Sequence, residues 1–157
     1  MNNSRPEDNG NKLITLIIIT VTSFLVPFMI SSVIIALPAI GRDYHMDAVT
    51  LAWISAAYIL TSAALLVPLG RLSDIYGRKI VFLSGYVIFS FGMLLSPLAT
   101  TSALFIASRV IQGFGAACII STSIAILTAA YPRNRRGRVI GISAAAVYTG
   151  LSMGPVL

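Results

Sequence analysis

Apolar positions in this chain fall in long unbroken runs, without strand-like alternation. Leu13–Ile40, Ala48–Gly70 and Val139–Leu157 contain no charged residue, and Ile80–Pro132 contains one, Arg109. A helix needs roughly 20 apolar residues to cross a bilayer. The longest run exceeds one crossing. Ser96-Pro97 and Thr100-Thr101-Ser102 interrupt it with proline and small polar residues and divide it in two. Five spans are predicted, over about 13–38, 50–70, 80–97, 102–128 and 139–157. Hydrocarbon supplies no hydrogen-bond partners, so only helices or closed barrels can span it, and runs of this length without alternation predict helices. The first run has 28 residues. A signal-peptide core has roughly 7–15, so this segment reads as a span and not as a cleaved leader. The predicted class is all-α: a polytopic membrane protein with a tail over 1–12 and a partial transmembrane bundle over 13–157.

Charge fixes the expected direction of threading. Only 10% of residues are charged, against about 25% in soluble domains, so their placement carries information. Arg5 and Lys12 lie in the tail, Arg71, Arg78 and Lys79 between spans 2 and 3, and Arg133, Arg135, Arg136 and Arg138 between spans 4 and 5. Arg42, offset by Asp43 and Asp47, is on the other side. Basic residues concentrate in short cytoplasmic loops. The N-terminus is therefore expected in the cytoplasm, with the chain crossing the plasma membrane. The net charge of +6 reads as a topology signal with some attraction for anionic lipid, not as a nucleic-acid surface. Cys118, alone inside a span, reads as a small packing residue, and His45 as a solvated loop residue. No carboxylate pair, metal-ligand cluster or nucleophile–base set is visible. No catalytic residue, metal or cofactor is assigned, and an enzyme is not expected.

Between spans 2 and 3 the chain reads Gly70-Arg71-Leu72-Ser73-Asp74-Ile75-Tyr76-Gly77-Arg78-Lys79. Gly70 and Gly77 allow a tight turn between packed helices. Asp74 is a lone acid among cations, able to pair with Arg78 four residues on or to face the positive end of another helix. Either contact would be a releasable latch; the plainer reading is a set of topology-setting charges. This stretch resembles the signature loop of the major facilitator superfamily, Gly-x-Leu-x-Asp-basic-x-Gly-basic-basic. The resemblance implies that the loop stabilises one access state by docking two halves together on the cytoplasmic side. Ile75 departs from the pattern, standing where a basic residue is usual.

Two further stretches extend the resemblance. In span 4, Arg109, Gln112, Gly113 and Ala116 share one helical face. An arginine deep in a span costs about 2.5–3.5 kcal/mol on insertion scales and normally faces the bundle interior. The stretch is similar to the family's Arg-x-x-Gln-Gly-x-Gly-x-Ala motif, which implies a part in proton coupling. A structural hub bonding a neighbour's carbonyls and a side chain snorkelling to the nearby interface are the alternatives. In span 5, Gly141, Gly150, Gly154 and Pro155 reproduce Gly-x8-Gly-x3-Gly-Pro, resembling the superfamily's antiporter motif. Ser143, Ala146, Gly150 and Gly154 form a small-residue stripe, and Pro155 would bend the helix. Such a helix suits a sliding interface between halves; a plain packing stripe is the simpler reading. The end of span 1, Val33 to Ile40, resembles the fourteen-span drug:proton antiporters. It departs from them at Met29 and Ile34, which replace an aspartate and an asparagine. No span contains a carboxylate, so a proton carrier in this segment is not indicated.

The resemblance implies two six-helix halves rocking about a midplane site, so five spans imply a fragment or a truncated reading frame. The partner surfaces would lie in the missing C-terminal part. The expected activity of the intact protein is alternating-access transport of small molecules, as a proton-coupled drug exporter. A nutrient or metabolite symporter or uniporter, and a truncated non-transporting membrane subunit, are the alternatives. Tyr58 and Met29 are candidates for a substrate cavity; a packed tyrosine and a packed methionine are the equal alternatives. Trp53 reads as an interfacial anchor.

Overall fold

The computed structural model describes residues 6–43 and 46–154, without the side chains of 6–9, 11 and 43. Every described element is helical: α1 Pro6–Asp43, α2 Ala48–Tyr76, α3 Arg78–Leu95 with a 3-10 turn at Ser96–Leu98, α4 Ser102–Ala130 and α5 Arg133–Met153. Four stretches are long and apolar enough to cross a membrane: Lys12–Arg42, Ala48–Tyr76, Arg78–Leu98 and Ser102–Ala130. The helix of the fifth predicted span forms, but its first turns carry Arg133, Arg135, Arg136 and Arg138. These dilute its apolar character within the described residues. His45 and Pro155 lie outside them.

The helices run beyond the apolar segments that predicted them. Lipid demands apolar side chains only inside the hydrocarbon, whereas a helix continues into water until something stops it. Asp47 starts α2 by accepting the Thr50 amide at 3.2 Å and the Thr50 hydroxyl, the expected role of an N-cap acid. Gly77 ends α2 and begins α3 as a single pivot with φ +99°, a conformation that disfavours any side chain. Its amide donates to the Ser73 carbonyl at 3.1 Å. The loop expected between spans 2 and 3 is thus two helix ends around one glycine.

The chain divides into two compact units, Ala36–Ser123 and Met1–Ile35 with Ile124–Leu157. In the first, α4 is the inner helix. Ser108, Arg109, Gln112, Ala116, Ala117, Cys118, Ile119 and Thr122 are all buried. One apolar cluster joins Ile54, Ala99 and Phe105, and another joins Leu69, Val81, Ala117 and Cys118. Close approach is secured by missing side chains. A Cβ on Gly115 would sit 2.5 Å from the Phe89 nitrogen and 2.7 Å from the Gly85 carbonyl oxygen. A Cβ on Gly113 would sit 2.7 Å from the Tyr58 carbonyl oxygen. Gly85 faces Gly115 while Gly92 faces Gln112, so α3 and α4 are antiparallel. Gly113 meets Thr61 while Gly70 lies nearest Ser121, so α2 and α4 are parallel.

In the second unit, α1 and α5 run side by side. The Tyr131 hydroxyl donates to the Lys12 carbonyl at 2.9 Å, Ser23 and Ser143 share a hydrogen bond of 2.9 Å, and Ser31 donates to the Leu151 carbonyl at 3.0 Å. Partner numbers rise together, so α5 is parallel to α1 and covers the same depth.

Two outcomes follow for stability. Gly115→Val should lower it by about 1–3 kcal/mol through overpacking, read by unfolding in mixed micelles. Gly137→Ala meets nothing within 4 Å and should be neutral or stabilising by up to about 1 kcal/mol, the ordinary helix preference. The Asp47 carboxyl is held below its ordinary range, first by the Thr50 hydroxyl and then by the Thr50 amide. Its contribution to the start of α2 should therefore be present above the ordinary carboxylate pKa and be lost only as pH falls through the lowered value. NMR of the Thr50 amide against pH checks this.

Candidate functional site

The polar residues of the Ala36–Ser123 unit converge around Gln112. Arg109 and Gln112 stand one turn apart on α4, and the Arg109 Nη1 donates to Gln112 Oε1 at 2.8 Å. The Gln112 Nε2 donates to the Gly92 carbonyl and to Ser96 Oγ, each at 2.8 Å. Ser96 and Ser108 share a bond of 3.0 Å, and Ser108 donates to the Phe105 carbonyl at 2.6 Å. One amide therefore orients the arginine and fastens α4 to α3. It reaches the α3 backbone because Gly92 has no side chain: a Cβ there would be 2.7 Å from Gln112 Cγ.

Arg109 is only 4% exposed, enclosed by its neighbours in this unit. Its guanidinium carbon lies 5.3 Å from the Phe105 ring centroid, within range of a cation–π attraction. Its Nε is buried with no hydrogen-bond partner among the described residues. Tyr58 is buried on α2. No acid lies in α2, α3 or α4 except Asp74 in the last turn of α2. The site is a buried cation whose described partners are an amide and an aromatic ring. Of the sequence-predicted face, Gln112 turns to α3 and Gly113 to α2.

At the α2–α3 turn, Asp74 accepts from Arg78 Nε and Nη2 at 3.2 and 3.1 Å. Both side chains are largely exposed, so the pair is of small worth in water. Lys79 is exposed. Gly70 corrects the expectation of two turn glycines. It lies inside α2, where a Cβ would meet Ser121 Cβ at 3.8 Å, an ordinary contact, so Gly77 alone makes the turn. Ser143 and Gly150 on α5, and Gly154 just past its end, face α1: Gly150 abuts the Phe24 carbonyl and Gly154 abuts Ser31. This part of the stripe is occupied by α1 and is not an open sliding surface. Gly141 is open. Met29 is half-buried in α1 with no polar contact shown, and Trp53 is exposed on an apolar face of α2. Sequence reasoning missed Gly85, Gly92, Ser96 and Ser108. The only signal was the polar and small residues flanking the α3–α4 connection.

A sequence profile of the Major Facilitator Superfamily matches residues 19–157. The riboflavin transporter RibZ of Clostridioides difficile (strain 630) is 33% identical over 146 residues, 93% of this chain and 32% of that protein. The cephamycin export protein CmcT of Amycolatopsis lactamdurans is 36% identical over 143 residues, 90% of this chain and 29% of that protein. The multidrug resistance protein Stp of Mycobacterium tuberculosis (strain CDC 1551 / Oshkosh) is 34% identical over 150 residues, 95% of this chain and 28% of that protein. The chain thus spans less than a third of the length of these relatives.

The geometry implies unequal costs within the cluster. Gln112→Leu leaves the arginine, Ser96 and the Gly92 carbonyl without their amide and should cost about 1.5–3 kcal/mol. In an Arg109→Met background the cost should shrink, because no buried charge is then stranded. A double-mutant cycle of unfolding free energies in micelles measures the difference.

Proposed function

The chain belongs to the Major Facilitator Superfamily, and from that premise we propose that the intact protein exports small molecules, drugs among them, in exchange for protons. Alternating access of two halves about a midplane site would carry the transport. The observation that most supports exchange is α5. Its Gly-x8-Gly-x3-Gly-Pro spacing, from Gly141 through Gly150 and Gly154 to Pro155, resembles the superfamily's antiporter motif. Two of the similar proteins bear names of an export protein and a multidrug resistance protein. The parallel register of α1 and α5 supports α5 as a fifth crossing. The basic excess near Lys12, Arg78 and Arg136 supports a cytoplasmic N-terminus in the plasma membrane.

Arg109 would act as a fixed positive charge. The one acid in the four spanning stretches is Asp74, which lies in the last turn of α2 and pairs with Arg78, so the titrating carboxylate would come from the rest of the intact protein, and Arg109 would favour its ionised form. Asp74 at the Gly77 pivot would serve as the releasable contact between halves. A metabolite carrier is the second reading, favoured by the riboflavin transporter among the similar proteins.

Full-length protein in inverted vesicles tests this. Adding an exported drug should collapse an imposed proton gradient. Arg109→Ala should lower coupled transport by roughly tenfold to a hundredfold, matching the loss of hydrogen bonds to a buried charge, while Arg109→Lys retains part of it. Drug movement that ignores the proton gradient would sink proton exchange and favour the metabolite carrier.

A further inference from the structure

We propose that the corner where α5 begins beside α1 is a binding site for the phosphate of an anionic phospholipid. The Tyr131 hydroxyl donates to the Lys12 carbonyl at 2.9 Å. This brings the backbone of Lys12, which begins the first apolar run, beside the connection that carries four cations, Arg133, Arg135, Arg136 and Arg138. Arg136 is anchored, its Nε donating to the Tyr131 carbonyl at 3.1 Å. The same tyrosine therefore ties both helices and one of the arginines. Arg133, Arg135 and Arg138 are exposed.

The charge also sits where a helix would resist it. α5 has no acid in its first turn and no side-chain cap at Pro132, so the positive end of its dipole has the same sign as the arginines. An anion at this corner relieves both. Lys12 directly precedes the apolar run at Leu13, and Arg138 directly precedes the one at Val139. The cluster therefore lies at the level of lipid headgroups, and its charge complements an anionic headgroup. Attraction of juxtamembrane cations to anionic lipid amounts to roughly a fivefold gain in binding per charge. The inference needs only that α1 and α5 lie in the membrane, so it stands whatever is transported.

The test uses the full-length protein in phosphatidylcholine vesicles with trace spin-labelled phosphatidylglycerol or phosphatidylcholine. Wild type should select phosphatidylglycerol at least about fivefold. Arg135→Gln with Arg136→Gln should remove most of that selectivity, and the corresponding double lysine variant should keep most of it. Tyr131→Phe, which unties Lys12 and keeps every charge, should weaken it. Arg71→Gln with Lys79→Gln removes as many cations elsewhere and should leave more than half. Equal losses from the two glutamine pairs would overturn the site in favour of diffuse attraction. Displacement of the lipid by inorganic phosphate, beyond the effect of chloride at equal ionic strength, would overturn the lipid as its ligand.

Discussion

Hydrocarbon offers a polar group no partner, and this one constraint accounts for most of the described hydrogen bonding. The hydroxyl-bearing side chains meet it locally. Thr22, Ser32, Ser84, Ser121, Thr122, Ser123, Thr128 and Thr149 each donate to a carbonyl three or four residues back. These bonds return a polar side chain to its own helix and leave the outer surface apolar. Gln112 is different. Its amide cannot close on its own turn while holding Arg109, so it takes partners from α3. One residue that cannot be satisfied locally becomes the cross-link of its unit.

The glycines answer the same constraint from the packing side. Without a hydrophobic drive between helices in lipid, close backbone approach must supply the association. Gly85, Gly113 and Gly115 let α4 touch α3 and α2 at backbone distance, and that approach puts Gln112 within reach of the Gly92 carbonyl. In the other unit, Gly150 and Gly154 bring α5 onto α1, and the serine pair 23 and 143 bonds across the same seam.

What is legible in the sequence is whatever depends on one helix at a time. The runs mark the helices because lipid selects composition directly, and i, i+3 spacing places Arg109 beside Gln112. Apolar runs end the helices too early, since the charge-bearing stretches 71–76 and 133–138 remain helical. Gly70 misleads because a glycine beside charged residues looks like a turn, and only the backbone shows that Gly77, and not Gly70, takes positive φ. Gly92, Ser96 and Ser108 are illegible as a group. Their meeting depends on the register of α3 against α4, which no single-helix pattern encodes.

The charge distribution separates two jobs that the sequence presents alike. Asp74 and Arg78 are exposed and adjacent; their pairing is cheap to make and to break, which suits a contact that must open. Arg109 is enclosed, and its orientation is fixed by an amide that itself bonds backbone, so moving it means separating α3 from α4. A releasable charge belongs where water can replace its partner; a permanent one belongs where water cannot. The proposed alternation between states would need both kinds. In this segment the fixed charge is a cation, and the one acid of the spanning stretches, Asp74, is paired with Arg78 at the far end of α2. Proton exchange by the intact protein would therefore have to bring its titrating group to this arginine from other helices.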